Sequence, residues 1–270
     1  MFEDKSRIVF FSDMDGTLLN HDKTVSKRNL DAIVKLRRAG GMFVVATGRI
    51  IQATRHYFEP IQLDCPCILC NGGMIYDCSK DSVAWSESLD KGMARQVTEQ
   101  LLERFPEICA EICCPDGIYD INFNETEREH WKKAGFTAKI VDSFDDIPPA
   151  EISKILFACP EDMTEELAEY CRSLDVGADF VVSAPVFTEM LPKNCSKGTA
   201  MQKLLSLYGL ETAVTVAMGD YDNDMTMLQY ADFAACPSNA RECVKDICNV
   251  VTQSDCEEGS VADIIDLVLS

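Results

Sequence analysis

The sequence predicts an α/β chain in which a doubly wound parallel sheet carries an inserted α+β domain, and three observations lead there. Short apolar runs rich in β-branched and aromatic residues alternate with segments of helical period at both ends of the chain, the pattern of parallel strands joined by crossover helices. Between about residues 83 and 190 that rhythm loosens. The charge is equally uneven. The net charge is −20 over 270 residues. Residues 1–82 carry 11 basic and 10 acidic side chains, 83–190 carry 9 and 23, a net of −14, and 191–270 carry 5 and 12. A discontinuous core domain is therefore expected from residues 1–82 and 191–270, with 83–190 inserted into it.

Taken in order, residues 7–12 (RIVFFS) read as a first buried strand and 26–39 as an amphipathic helix, with Ser26 as N-cap and Gly40 and Gly41 as its stop. MFVVAT (42–47) is a second strand, a helix follows Arg49, and CILC (67–70) is a third strand. The inserted segment offers helices near 90–104 and 161–174 and strand-like runs at 117–123, 152–158, 178–184 and 186–191. Near the C-terminus a helix is expected from Ser196 to Tyr208 and a strand at Val214–Met218. A helix from Asn223, a short strand near Phe233 and a last helix from Glu257 complete the chain. The two ends read as halves of one sheet.

With 47% apolar and 26% charged residues the chain is a folded, soluble type. Its acidic excess argues against general nucleic-acid binding, because affinity for a phosphate backbone comes from clustered Lys and Arg. No stretch approaches the roughly 18 apolar residues of a membrane span, and the run Ile8 to Phe11 is too short for a secretory leader. Fourteen cysteines without such a leader fit a reducing cytoplasm, where cysteine serves as a small buried hydrophobe. Cys65, Cys67 and Cys70 have no clear fourth ligand and lie in an apolar run, so structural roles are expected for them. His21, His56 and His130 are expected at the surface or in packing. Oligomeric state is not legible.

Chemistry gathers at strand ends. Asp13-Met14-Asp15-Gly16-Thr17 follows the first strand, and a buried parallel strand aims the residues past its carboxyl end into the crevice where α/β sheets bind ligands. Two carboxylates there are expensive without a compensating cation, and oxygen donors suit Mg²⁺. Gly219-Asp220-Tyr221-Asp222-Asn223-Asp224 stands at a second strand end, so Asp13 and Asp220 are the expected metal ligands, with Asp224 as ligand or support. A third strand end gives Thr47-Gly48-Arg49, where a hydroxyl, free N–H groups and a guanidinium suit a phosphate. Lys197 opens a helix after Ser196, a position the macrodipole disfavours unless an anion lies nearby. Asn71-Gly72-Gly73 after the third strand reads either as a hairpin turn or as a loop whose backbone approaches a ligand.

In this order and on these elements, DxDGTLL, ATGR, SKG and GDxxND resemble the haloacid dehalogenase superfamily, most closely its Cof-like phosphatase branch. That resemblance implies a Rossmann-like core with an inserted α/β cap, and Mg²⁺-dependent hydrolysis of small phosphorylated metabolites such as sugar phosphates or phosphorylated cofactors. It implies Asp13 as nucleophile and metal ligand, and Asp15 as general acid/base that ligates metal through its backbone carbonyl. Asp220 is implied as a further ligand, Asp224 as a supporting carboxylate, and Thr47, Lys197 and Asn223 as phosphoryl-binding groups. The alternatives are a phosphohexomutase similar to phosphomannomutases and a non-catalytic metabolite sensor. The few cap arginines (Arg95, Arg104, Arg128, Arg172) count against the first, and the intact Asp13 and Asp15 against the second.

Overall fold

The computed structural model describes residues 4–115, 117–134, 137–148 and 150–270. It comprises two compact units, Met1–Trp85 with Ser196–Ser270, and Ser86–Cys195. The chain begins with β1 (Ile8–Ser12), α1 (Lys27–Arg38), β2 (Met42–Val45), α2 (Arg55–Ile61), β3 (Pro66–Leu69), β4 (Met74–Asp77) and β5 (Ser82–Ser86). The insertion contributes α3 (Lys91–Arg104), β6 (Cys109–Cys114), β7 (Gly117–Ile121), α4 (Glu125–Ala134), β8 (Lys139–Val141), β9 (Lys154–Ala158), α5 (Thr164–Ser173), β10 (Ala178–Ala184) and β11 (Phe187–Pro192). The return to the first unit brings α6 (Lys197–Leu207), β12 (Val214–Met218), α7 (Met225–Tyr230), β13 (Phe233–Cys236), α8 (Glu242–Lys245), β14 (Val250–Val251) and α9 (Ser260–Leu269).

The two ends of the chain do form one parallel sheet, in the order β14-β13-β12-β1-β2. From the central β1 the chain steps to β2 on one side, and later from β12 outward to β13 and β14 on the other, which is the doubly wound arrangement. β1 is buried on both faces, so it reads as an unbroken apolar run; Phe10 stacks on Phe43 of β2 with ring centroids 5.6 Å apart. Beyond β2 the sheet continues through a single parallel bridge, Ala46 to Ile68. Ser26 caps α1 by accepting from the Asn29 N–H at 3.1 Å, and α1 packs on α9, where the Asn29 side-chain oxygen accepts the Ala262 N–H at 3.0 Å. None of the described helices is long and apolar enough to cross a membrane.

Several boundaries differ from the sequence reading. The helix expected directly after Arg49 begins only at Arg55, because Ile50–Thr54 form turns closed by Ala53 N–H to Ile50 O and Thr54 N–H to Ile51 O. The helix expected from Asn223 opens with a 3-10 turn over Asp222–Asp224 before α7, and the last helix starts at Ser260. Asn71-Gly72-Gly73 joins β3 to β4 as an antiparallel hairpin and also makes a close backbone approach: a Cβ on Gly72 would lie 2.1 Å from the Ser196 carbonyl oxygen, and its φ is +102°. All 14 cysteines are free. Cys65 donates its thiol to the Phe43 carbonyl, and Cys65, Cys67 and Cys70 are buried in the core.

Asp77, at the end of β4, shows how a buried carboxylate is retained. Its Oδ1 accepts from the Ser79 N–H (3.1 Å) and hydroxyl (2.6 Å), and its Oδ2 from Lys80 Nζ and the Tyr208 hydroxyl, both at 2.7 Å. Burial pushes this carboxyl up, but Lys80, Ser79 and Tyr208 outweigh it and hold the group well below the usual carboxylate range. A depressed folded value stabilises the fold at pH above the unfolded value of about 3.9 and drains away as pH falls through and below it. Asp77→Asn is therefore expected to cost about 1–3 kcal/mol at neutral pH. Denaturant melts of wild type and variant should converge as pH falls toward about 2–3; a gap independent of pH would show that the charge is not what stabilises the turn.

Candidate active site

The carboxyl ends of β1, β12 and β2 lie side by side, with Ser12 in register with Met218 on one side and Val45 on the other. This is where the strand order reverses and where open α/β sheets bind ligands. The Asp13 N–H donates to the Met218 carbonyl at 2.9 Å, fixing the β1 loop to the β12 end, and three N–H groups (Thr17, Leu18, Leu19) converge on the Met14 carbonyl to make the tight turn that carries Asp15. Gly16 enables that turn: its φ is +83°, and a Cβ there would meet Asp220 Oδ2 at 2.5 Å.

Asp13 is 5% exposed and Lys197 fully buried. Lys197 Nζ donates to Asp13 Oδ1 at 2.5 Å and to Asp224 Oδ1 at 2.7 Å. The Ser196 side chain caps α6 by accepting from the Thr199 N–H, and this cap fixes Lys197 as the first helical residue. The other Asp224 oxygen accepts from the backbone N–H groups of Asp220 and Tyr221 at 3.0 and 3.1 Å, so Asp224 joins the lysine to the β12 loop. Asp220 takes the Thr17 hydroxyl at 2.8 Å. The carboxylates of Asp13, Asp220 and Asp224 each present an oxygen within 4.8 Å of the others.

These charges are unbalanced. Burial, with the charges of Asp224 and Asp15 added, overcomes the pull of Lys197 and pushes the Asp13 carboxyl up to about 7. Asp220 is also pushed up by burial and by Asp13 and Asp224. Burial works against the Lys197 ammonium, yet Asp13 and Asp224 hold it protonated. Three carboxylates against one ammonium form an all-oxygen donor set short of positive charge, and a hard divalent cation fits it.

Asp15 has a different environment. Arg49 grips it with two bonds, Nε to Oδ2 at 2.6 Å and Nη2 to Oδ1 at 2.7 Å, and Lys23 adds a third at 2.7 Å. Burial opposes ionisation here, but Arg49 and Lys23 together hold the carboxyl far below its usual range. Thr47 is buried, with its hydroxyl accepting from the Arg49 N–H at 3.2 Å, and its carbonyl takes the Asn71 N–H. Gly48 lies against Asn71, whose Oδ1 accepts from Asn223 Nδ2 at 2.9 Å. The sequence-predicted residues thus form two linked groups, Asp13-Lys197-Asp224-Asp220 and Thr47-Asn71-Asn223, with Arg49 turned onto Asp15. Three participants went unread: Thr17, Lys23, and Asn239, whose Nδ2 donates to the Gly16 carbonyl at 2.8 Å. Thr17 was signalled by its place in the same turn as Asp15. Lys23 and Asn239 carry no local signal, since their partners are set by tertiary structure.

Residues 10–265 match the family model described as haloacid dehalogenase-like hydrolase. The chain is 26% identical over 255 residues to a 5-amino-6-(5-phospho-D-ribitylamino)uracil phosphatase of Bacillus subtilis, covering 92% of each. It is 25% identical over 276 residues to a pyridoxal phosphate phosphatase of Escherichia coli, covering 95% of this chain and 97% of that one. Among solved structures, a haloacid dehalogenase-like hydrolase from B. subtilis matches with a TM-score of 0.85 at 25% identity, over 96% of this chain and 98% of that one.

Proposed function

The chain belongs to the haloacid dehalogenase-like hydrolases and is a phosphoric monoester hydrolase, and from that premise we propose a Mg²⁺-dependent phosphatase of small phosphorylated metabolites that works through an aspartyl-phosphate on Asp13. The observation that carries this reading is the buried Asp13 carboxylate at the strand-end crevice, 2.5 Å from the Lys197 ammonium and converging with Asp220 and Asp224. Asp13, Asp220 and the Asp15 backbone carbonyl would hold the Mg²⁺, with Asp224 in support, and the ion would neutralise phosphoryl charge that otherwise repels an anionic nucleophile.

Asp13 attacks phosphorus in line; the new bond forms at its carboxylate oxygen as the bond from phosphorus to the ester oxygen breaks. Lys197, Thr47 and Asn223 hold the phosphoryl oxygens and stabilise their charge in the transition state. Asp15 gives its proton to the departing alkoxide, then removes one from the water that cleaves the aspartyl-phosphate, releasing inorganic phosphate and restoring Asp13. In the resting structure Arg49 and Lys23 keep Asp15 ionised, so this pairing has to open and Asp15 has to take up a proton from solvent as the substrate enters; an anionic phosphate competing for Arg49 provides the means. A strongly acidic chain whose insertion holds 9 basic and 23 acidic residues is a poor host for a second phosphate. The favoured substrates are therefore monophosphates with neutral, hydroxylated or partly cationic leaving groups, a class that includes sugar phosphates and phosphorylated cofactors. A reducing, cytoplasmic setting is consistent with the 14 free cysteines.

The test is phosphate release from a panel of phosphorylated metabolites with Mg²⁺ present and after chelation. Release from monophosphates that disappears on chelation is expected. Silence across the panel with metal present would overturn the reading, and preferred turnover of a bisphosphate would overturn the substrate class.

A further inference from the structure

The inserted unit holds a second cluster of ionisable groups that the proposed reaction does not use. Its sheet runs β10-β11-β9-β6-β7-β8 and has two unlike faces. On one, Ala110, Ile112, Tyr119, Ile155 and Phe157 pack with α3 and α5 as an apolar core. On the other, register sets Glu111 of β6 opposite Asp120 of β7, while Lys154 of β9 bonds Glu189 of β11 at 2.8 Å. Helix α4 brings Glu127 and His130 to this face: His130 Nδ1 lies 3.1 Å from Glu127 Oε1 and 3.8 Å from Glu111 Oε2, and its ring packs on Phe187.

The charges do not close. Lys154 bonds Glu189 and its charge also reaches Glu111 and Glu127, yet this one ammonium faces four carboxyls, Glu111, Asp120, Glu127 and Glu189, all within 3% of complete burial. Among the described residues, Glu111 Oε2, Glu127 Oε2 and both oxygens of Asp120 lack a hydrogen-bond partner of full geometry. The indole N–H of Trp131 lies close enough to Asp120 and Glu127 to favour their charged forms, but it is a single donor for both. Orphaned buried carboxylate oxygens cost more than almost any other polar group, so a native fold retains them only where something else engages them. Glu111, Glu127 and His130 each offer a ligand atom within 4.8 Å of the other two. Asp120 stands opposite Glu111 in the β6–β7 register, outside that group of three.

We propose that Glu111, Glu127 and His130 bind a divalent transition-metal ion inside the inserted unit, tying α4 to β6, with the buried Asp120 of β7 adding negative charge nearby. The donor set separates this site from the one at Asp13. An imidazole nitrogen with carboxylate oxygens suits Zn²⁺, Co²⁺ or Mn²⁺ better than Mg²⁺, whereas the site at Asp13 offers oxygen alone. The other way to relieve the same charge is to take up protons: burial foremost pushes Glu111 and Glu127 up to about 7 and Asp120 up to about 9.

Metal and proton are told apart by titrating the full-length, chelator-stripped protein with Co²⁺, whose visible d–d absorption changes in position and intensity with the donor set and coordination number and so differs between a nitrogen-containing site and an all-oxygen one. Wild type and Asp220→Asn should both retain a Co²⁺ equivalent with the band of the nitrogen-containing site, and His130→Ala and Glu127→Gln should both lose it. Glu127→Gln removes a buried charge, so it is expected to fold without metal, as far-UV circular dichroism checks. Zn²⁺ should raise the melting temperature of Asp220→Asn, in which the site at Asp13 is impaired, and leave that of the double variant Asp220→Asn/Glu127→Gln unmoved. Equal Co²⁺ binding in wild type and Glu127→Gln, or a band lost in Asp220→Asn instead, would overturn the site. Because Asp220→Asn keeps the inserted cluster intact, failure here leaves the reading of Asp13 untouched.

Discussion

Asp13→Asn should fold like the wild type and release no phosphate, a loss on the order of 10⁴-fold or more in kcat. The substitution keeps the shape of the side chain, its N–H bond to Met218 and a polar neighbour for Lys197, but an amide is not a nucleophile at neutral pH. Asp13→Glu makes the test stricter. It restores the carboxylate but moves it by one methylene in a pocket where Lys197 and Asp224 are fixed by their own bonds, and displacement of about 1 Å is enough to cost on the order of 10²-fold. Steady-state release and trapping of a phosphorylated protein by rapid quench distinguish the outcomes. Asp13→Asn that still turns over, or still becomes phosphorylated, would sink the nucleophile assignment, whereas a variant that melts much lower than wild type would turn the question to folding.

The site was legible in the sequence because fully buried parallel strands announce themselves and leave polar residues at their ends. Ile8–Phe11, Phe43–Val45 and Val214–Met218 are apolar or nearly apolar runs; carboxylates crowd the loops after the first and the last, and Thr47 and Arg49 follow the second. Pairings across the fold were not legible. Arg49, read as a phosphate fork, grips Asp15 from 34 residues away, and no spacing rule foretells that. The inserted unit was read least well, for a specific reason. β7 lies within the strand expected at 117–123, but β6 (CAEICC) is a short run of small residues and cysteines around a buried Glu111 and carries a weak strand signal. Helix α4 (ETEREHWKKA) was missed because its buried contact is Glu127, which reads as a solvent position. The buried Glu111 and Glu127 of the two elements that escaped reading, β6 and α4, belong to the cluster proposed to bind metal.

Lys197→Met should separate what the lysine does for the fold from what it does for the reaction. Met keeps the length of the stem in the fully buried site and spares α6 a cation at its N-terminus, so helix formation is helped locally. The global effect runs the other way, because Asp13 and Asp224 lose the ammonium that bonds both, and removing one partner of a buried ionic group costs about 3–5 kcal/mol. The size of that cost depends on pH. Burial already raises the Asp13 carboxyl and Lys197 opposes that rise, so without the cation Asp13 binds a proton more readily in the folded than in the unfolded chain, and the native state gains stability as pH falls and loses it as pH rises. The deficit against wild type in metal-free denaturant melts should accordingly be larger at about pH 8 than at about pH 5. Phosphate release should fall on the order of 10²–10³-fold in kcat even where the variant is fully folded, as expected for loss of a preorganised charge facing the phosphoryl group. A deficit that does not change with pH would mean that Lys197 acts by packing its stem, and near-normal kcat in a folded variant would remove it from the reaction.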